Sequence, residues 1–88
     1  MKVEFKKSFL KDLKKLKSKS LRDSVYNSII QAETAKDIQE IRNLKKLVGF
    51  ESHYRIRVGD YRIGIFHQNE VIIFVVFEHR KDVYKKFP

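Results

Sequence analysis

The 88-residue chain has no cysteine and no tryptophan, a single proline and only three glycines. Without cysteine there is no disulfide framework, no thiolate nucleophile and no zinc site built on sulfur. So little glycine and proline leaves no material for a linker or low-complexity tract, and no internal repeat is present. The longest apolar run, Val71 to Phe77, is seven residues, against the roughly twenty that a membrane helix needs. No signal-peptide pattern opens the chain, so the expectation is a cytoplasmic protein with no membrane contact. Acidic residues are also scarce: eleven Asp and Glu face twenty Lys and Arg, leaving a formal charge of +9. A field of that sign and size steers a small protein toward polyanions.

What is present suffices for one core. Hydrophobic residues make up 42% of the chain, with seven Phe and four Tyr, which argues against disorder. A chain of this length buries roughly 60–65% of its unfolded surface and is expected to form a single domain over residues 1–88. The cations are not uniform along it. Residues 1–20 hold eight Lys and two acids, whereas residues 51–88 hold four Arg and three Lys against five acids. Lysines supply a diffuse field or simply a solvated helix face, while Arg is suited to bidentate phosphate contacts.

Val3 and Phe5 alternate on a short first strand. Ser8 is placed to cap a helix over Phe9–Lys17, in which Phe9, Leu13 and Leu16 recur at helical spacing. Ser20 to Asp23 has capping-box spacing for a second helix to about Glu33, carried by Leu21, Val25, Ile29 and Ala32. One further helical turn is expected within Ala35–Ile41, and a strand fragment around Lys46–Val48. From His53 the period changes to two, with strands at Tyr54–Val58, Tyr61–His67 and Val71–Phe77. The fold class is α+β, an N-terminal helical hairpin packed on one face of a small antiparallel sheet.

Gly59-Asp60 is a two-residue hairpin signal. If it forms the whole loop, Arg57 faces Arg62, Arg55 faces Gly64 and Tyr54 faces Ile65. Arg55, Arg57 and Arg62 then share one face, opposite the apolar set of Tyr54, Ile56, Val58, Tyr61, Ile63 and Ile65. Directly opposed like charges cost up to about 1 kcal/mol unless an anion neutralises them. A Gln68-Asn69 loop would place Val71, Ile73, Val75 and Phe77 beside the arginines and bring His79 to that face, with Arg80 and Tyr84 at its rim. Gly64 either leaves room there for a ligand or marks a bulge.

The three His are scattered, no acidic pair has metal-ligand spacing and no Gly-rich phosphate loop occurs, so neither a metal nor a cofactor is expected. RNA cleavage by its own 2′-hydroxyl needs neither. It requires a base at that oxygen, cations around the phosphorane and an acid at the departing 5′-oxygen. Arg57 and Arg62 fit the cation role, His79 is the natural base because guanidinium stays protonated, and Tyr84 or Arg80 can serve the leaving group. Arg55, Lys81, Lys85 and Lys86 complete an RNA-binding surface.

Tyr54-Arg55-Ile56-Arg57-Val58-Gly59-Asp60-Tyr61-Arg62-Ile63-Gly64, followed by His79-Arg80-Lys81-Asp82-Val83-Tyr84, resembles the RelE branch of the RelE/ParE toxin superfamily over essentially the whole chain. The resemblance implies a RelE-like microbial RNase fold and a type II toxin that cleaves messenger RNA in the ribosomal A site. It also implies an acidic cognate antitoxin that neutralises the toxin. By the same resemblance Arg62 matches the family's phosphate-stabilising arginine, Arg80 its second arginine and Tyr84 its terminal-region tyrosine. Arg55 and Arg57 stand where better-known members carry lysines, which removes the lysine base proposed for the family. Two other readings stay open: a ParE-like toxin that acts by binding DNA gyrase, and a non-enzymatic basic module that binds RNA or the ribosome.

Overall fold

The computed structural model describes residues 1–88. Strands β1 (Lys2–Phe5), β2 (Leu44–Lys46), β3 (His53–Val58), β4 (Tyr61–Gln68) and β5 (Val71–His79) form one sheet in the order β1-β5-β4-β3-β2. Helices α1 (Lys7–Lys14) and α2 (Lys19–Thr34) lie between β1 and β2, with a 3-10 turn at Ile38–Glu40, and a one-turn helix α3 (Val83–Lys86) follows β5. The α+β class holds with one addition: β1 joins β5 in parallel, from Lys2 opposite Val71 to Phe5 opposite Phe74, so the sheet is mixed.

Local chemistry moves two helix starts from their expected positions. Ser18 rather than Ser20 caps α2, its Oγ accepting from the Leu21 amide at 3.2 Å. Ser8 caps nothing, because its hydroxyl donates to the Val75 carbonyl of β5. Phe9, Val25 and Ala32 from the helices close over Ile56, Ile63, Ile65, Ile72 and Phe74 from the sheet. Burial of each larger side chain contributes about 1.5–3 kcal/mol. A second, smaller cluster of Leu47, Val76, Val83 and Phe87 accompanies α3.

The β3–β4 hairpin has the expected register throughout, with Arg57 opposite Arg62 and Arg55 opposite Gly64. Gly59 adopts φ +59° in the first turn position while Asp60 is not left-handed, the type II′ pattern that suits a right-twisted hairpin. The β4–β5 pairing differs from the expectation. Its loop is Asn69-Glu70, both left-handed at φ 53° and 40°, and a register shift falls between Gly64 and Ile65. Moving the turn by one residue preserves which face each side chain takes, but the bulge reverses it. Beyond the bulge Val76 pairs with Gly64 and Glu78 with Arg62, while Phe77 pairs with Ile63 and His79 with Tyr61. Phe77 and His79 therefore leave the arginine face for the helix side, where Phe77 stacks on Tyr61 at 5.0 Å.

Gly64 holds no room for a ligand: a Cβ there would lie 2.7 Å from Phe87 Cγ and 2.9 Å from Val76 Cγ2. Phe87, 2% exposed, occupies that space. On the other side of β5, the stretch beyond β1 is an unpaired edge, and α1 covers it. Ser8 serves the Val75 carbonyl and Asp12 Oδ2 accepts the Phe77 amide at 3.0 Å, so the edge is closed against other strands. Burial is the main influence raising the Asp12 pKa, with Glu78 adding to it, against the Phe77 hydrogen bond and Lys86.

Gly64→Ala is expected to destabilise the protein by about 1–3 kcal/mol through overpacking, and Phe87→Ala by about 3–5 kcal/mol through the cavity it leaves. Chemical denaturation of both single variants and the double variant should find the double less destabilised than the summed singles, and strict additivity would refute the contact. For Asp12, a native pKa above the ordinary 3.8 means the folded state binds the proton more tightly, so stability falls as pH rises through that interval. Asp12→Asn keeps an oxygen for Phe77, and its melting temperature relative to the unsubstituted protein should climb between about pH 3 and pH 7; a pH-independent difference would contradict this.

Candidate functional site

The hairpin and the segment after β5 bring four arginines and one tyrosine together. Arg62 is half-buried, and one of its terminal nitrogens donates to the carbonyls of Gly59 at 2.9 Å and Tyr61 at 2.8 Å. These bonds fix the guanidinium over the turn and leave its other donors free. The Arg80 amide donates to the Asp60 carbonyl at 2.8 Å, which ties the end of β5 to the same turn. Burial is the first cause lowering the Arg62 pKa; Arg55, Arg57 and Arg80 act in the same direction and Tyr84 opposes them. All of these groups are thus close enough to Arg62 to act on its charge.

No carboxylate neutralises the cluster. The ion pairs of the structure are Lys2–Glu4, Lys85–Asp82 and Lys86–Glu78, and none includes an arginine. Glu78 faces Arg62 in the sheet register, but its carboxylate is held by Lys86 at 2.9 Å. Of the lysines in the basic tail, Lys86 is committed to that bond, Lys85 lies 3.7 Å from Asp82, and Lys81 has no acidic partner within 4.0 Å.

Tyr84 is positioned by its neighbours. Val83, which opens α3, and Phe87, just past its end, are both buried, so Tyr84 projects outward, 55% exposed. It borders a cleft of about 550 Å³ that also involves Arg55, Lys45, Lys46, Val48 and Phe50. The β2–β3 segment joins the site without a catalytic motif of its own; its one signal in the sequence is the apolar-Gly-aromatic run Leu47-Val48-Gly49-Phe50 in a connection. Val48 is 93% exposed there. His79 stands apart from the cluster. Its ring meets Tyr61 edge-on at 5.4 Å across the sheet, and its Nδ1 accepts the Lys81 amide at 3.2 Å. Its position is that of a turn brace, and the bulge is the reason it does not join the arginines. His53 packs edge-on against Phe50 and Phe66 at 5.4 and 5.1 Å.

Residues 3–84 match the family described as the ParE toxin of the type II toxin–antitoxin system, parDE. Over 89 aligned residues covering all of both chains, the protein is 39% identical to Toxin RelE3 of Methanocaldococcus jannaschii. The chain belongs to the RelE branch of the RelE/ParE toxin superfamily. Solved relatives agree in shape. The RelB–RelE antitoxin–toxin complex of Methanococcus jannaschii matches at a TM-score of 0.82 and 36% identity, covering 97% of this chain and 99% of that one. The archaeal RelE–RelB complex of Pyrococcus horikoshii OT3 matches at 0.73 and 25% identity, over 90% and 93%. No helix of this RelE-family chain is long and apolar enough to cross a membrane.

Arg57 and Arg62 oppose each other with no acid between them, so the RelE-family site carries an electrostatic load in the free protein. Arg57→Gln is expected to stabilise the fold by up to about 1 kcal/mol at low ionic strength. Urea unfolding should find the gain shrinking as salt is raised; a loss of stability would show that Arg57 has a structural partner.

Proposed function

We propose that this RelE-family chain, acting as one toxin domain over residues 1–88 in the cytoplasm, is a ribosome-dependent endoribonuclease that cleaves messenger RNA in the A site and so inhibits translation. The observation that carries this reading is the un-neutralised guanidinium cluster around Arg62, with Tyr84 and an aromatic, cationic cleft beside it. In this proposal the 2′-oxygen attacks the adjacent phosphorus and the bond to the 5′-oxygen breaks. Negative charge gathers on the phosphorane oxygens, where Arg57, Arg62 and Arg80 supply fixed positive charge without a metal ion. Tyr84 gives its proton to the departing 5′-oxygen, its phenol being an O–H donor beside Arg62. The proton of the attacking hydroxyl passes to water, a departure from lysine-based relatives. Arg55 and Lys81 hold the flanking strand, with Lys85 at its margin; Lys86 serves Glu78 instead.

An acidic antitoxin is the second part of the proposal. A charge of +9 with an open arginine cluster attracts cellular RNA indiscriminately, and both of the solved relatives described above are antitoxin complexes.

Primer-extension mapping after induced expression tests the reading. Cuts should be confined to translated frames and should fall by about 10²–10³-fold with Arg62→Ala and by a comparable factor with Tyr84→Phe, both variants retaining antitoxin binding. Growth arrest with intact messages would defeat the nuclease and leave a binding-only toxin of the ParE kind.

A further inference from the structure

A second cleft, of about 260 Å³, lies between α2 and the free end of β3. Its helix wall is formed by Ser24, Asn27, Ser28 and Gln31, which recur at i, i+3, i+4 and i+7 and so make one stripe. The stripe is polar and uncharged, unlike the face of α1, which presents Lys7, Lys11 and Lys14 to water. Ser28 is the one buried polar residue of the molecule, its hydroxyl bonded to the Ser24 carbonyl. Across the cleft stand Arg42 and Arg57.

Two features separate this surface from an ordinary solvated face. Neither Arg42 nor Arg57 has a carboxylate within 4.0 Å, and none of the residues around the cleft is acidic. The backbone here is also held in place: the Arg42 amide donates to Gln31 Oε1 at 3.0 Å and the Arg57 amide to the Asn43 carbonyl at 3.1 Å. Two guanidiniums on braced backbone facing neutral hydroxyls and amides form a site for a group that is anionic on one side and hydroxylated on the other. A nucleotide's phosphate and ribose have that character, and the 2′-hydroxyl both donates and accepts. Arg57 belongs to this cleft and to the cluster around Arg62, so the two sites are continuous.

We propose that this cleft is a second RNA-backbone subsite, in which Arg42 and Arg57 hold a phosphate while Asn27 and Ser24 read the neighbouring ribose. It engages a strand that continues past the Arg62 cluster, around the end of β3. The inference rests on the arginine cluster being an RNA site, but not on cleavage taking place there.

Fluorescence anisotropy with the full chain, using a labelled single-stranded RNA trinucleotide and octanucleotide, tests it. Gln31 is left intact because it braces Arg42; the variants are Arg42→Ala and Asn27→Ala, both at exposed positions. Each should weaken octanucleotide binding about 5–10-fold, and Arg42→Ala should lower the logarithmic salt slope by about 0.7. Trinucleotide binding, confined to the Arg62 cluster, should be unchanged. Octanucleotide affinity equal to that of the unsubstituted protein, or equal losses at both lengths, would overturn the subsite. A DNA octanucleotide bound as tightly as RNA would overturn the ribose contact. In parallel, Arg62→Ala should weaken both lengths. Retention of trinucleotide binding in that variant would remove the premise at Arg62, whereas uncut messages with length-dependent losses intact would defeat the nuclease alone.

Discussion

A single backbone conformation governs the site. Gly59 at φ +59° closes the β3–β4 hairpin in two residues, and that closure sets Arg57 opposite Arg62 and Arg55 opposite Gly64. A side chain at position 59 disfavours that φ, and a longer loop would slip the register and turn the arginines to the core. The same turn supplies the carbonyls that orient Arg62 and anchor the Arg80 amide. Positive charge is therefore concentrated by main-chain geometry, which resists the mutual repulsion that would otherwise spread these side chains.

The bulge beside Gly64 is the second constraint, and it sorts β5 between two cores. Before it, Phe74 faces the helices; after it, Val76 and Phe77 are both buried but on opposite sides. Phe87 then docks on the bare backbone of Gly64 and fixes α3 in orientation. Tyr84 is exposed at the cleft because Val83 and Phe87 are not. A side chain of the proposed chemistry is thus placed by packing at a residue twenty positions earlier in the chain.

The sequence carried the fold class and the hairpin fully enough to place Arg55, Arg57 and Arg62 on one face. Those elements announce themselves by alternation of polar and apolar residues and by a glycine at the turn. Val71 to Phe77 offers no such alternation; with apolar residues on both faces, periodicity cannot reveal where a strand skips a position. Simple alternation accordingly puts His79 and Phe77 on the arginine face, whereas the bulge turns both to the helix side. The polar stripe of α2 is silent in the sequence for a related reason, since Ser, Asn and Gln between apolar positions read as an ordinary outer face until the fold sets Arg42 and Arg57 across from them. Ser20 lost its capping role to Ser18 because two hydroxyls within reach of one helix start are not distinguishable by spacing alone.

The parallel pairing of β1 with β5 joins Lys2 to Val71, 69 positions apart in a chain of 88. Contacts of that separation make folding slow and late, because a long loop must close before any bond rewards it. A nascent chain of this topology has no complete sheet until its final strand is made, and Arg80 and Tyr84 come later still. Assembly of the cationic cluster must wait until β5 and the segment after it have been made, by connectivity alone.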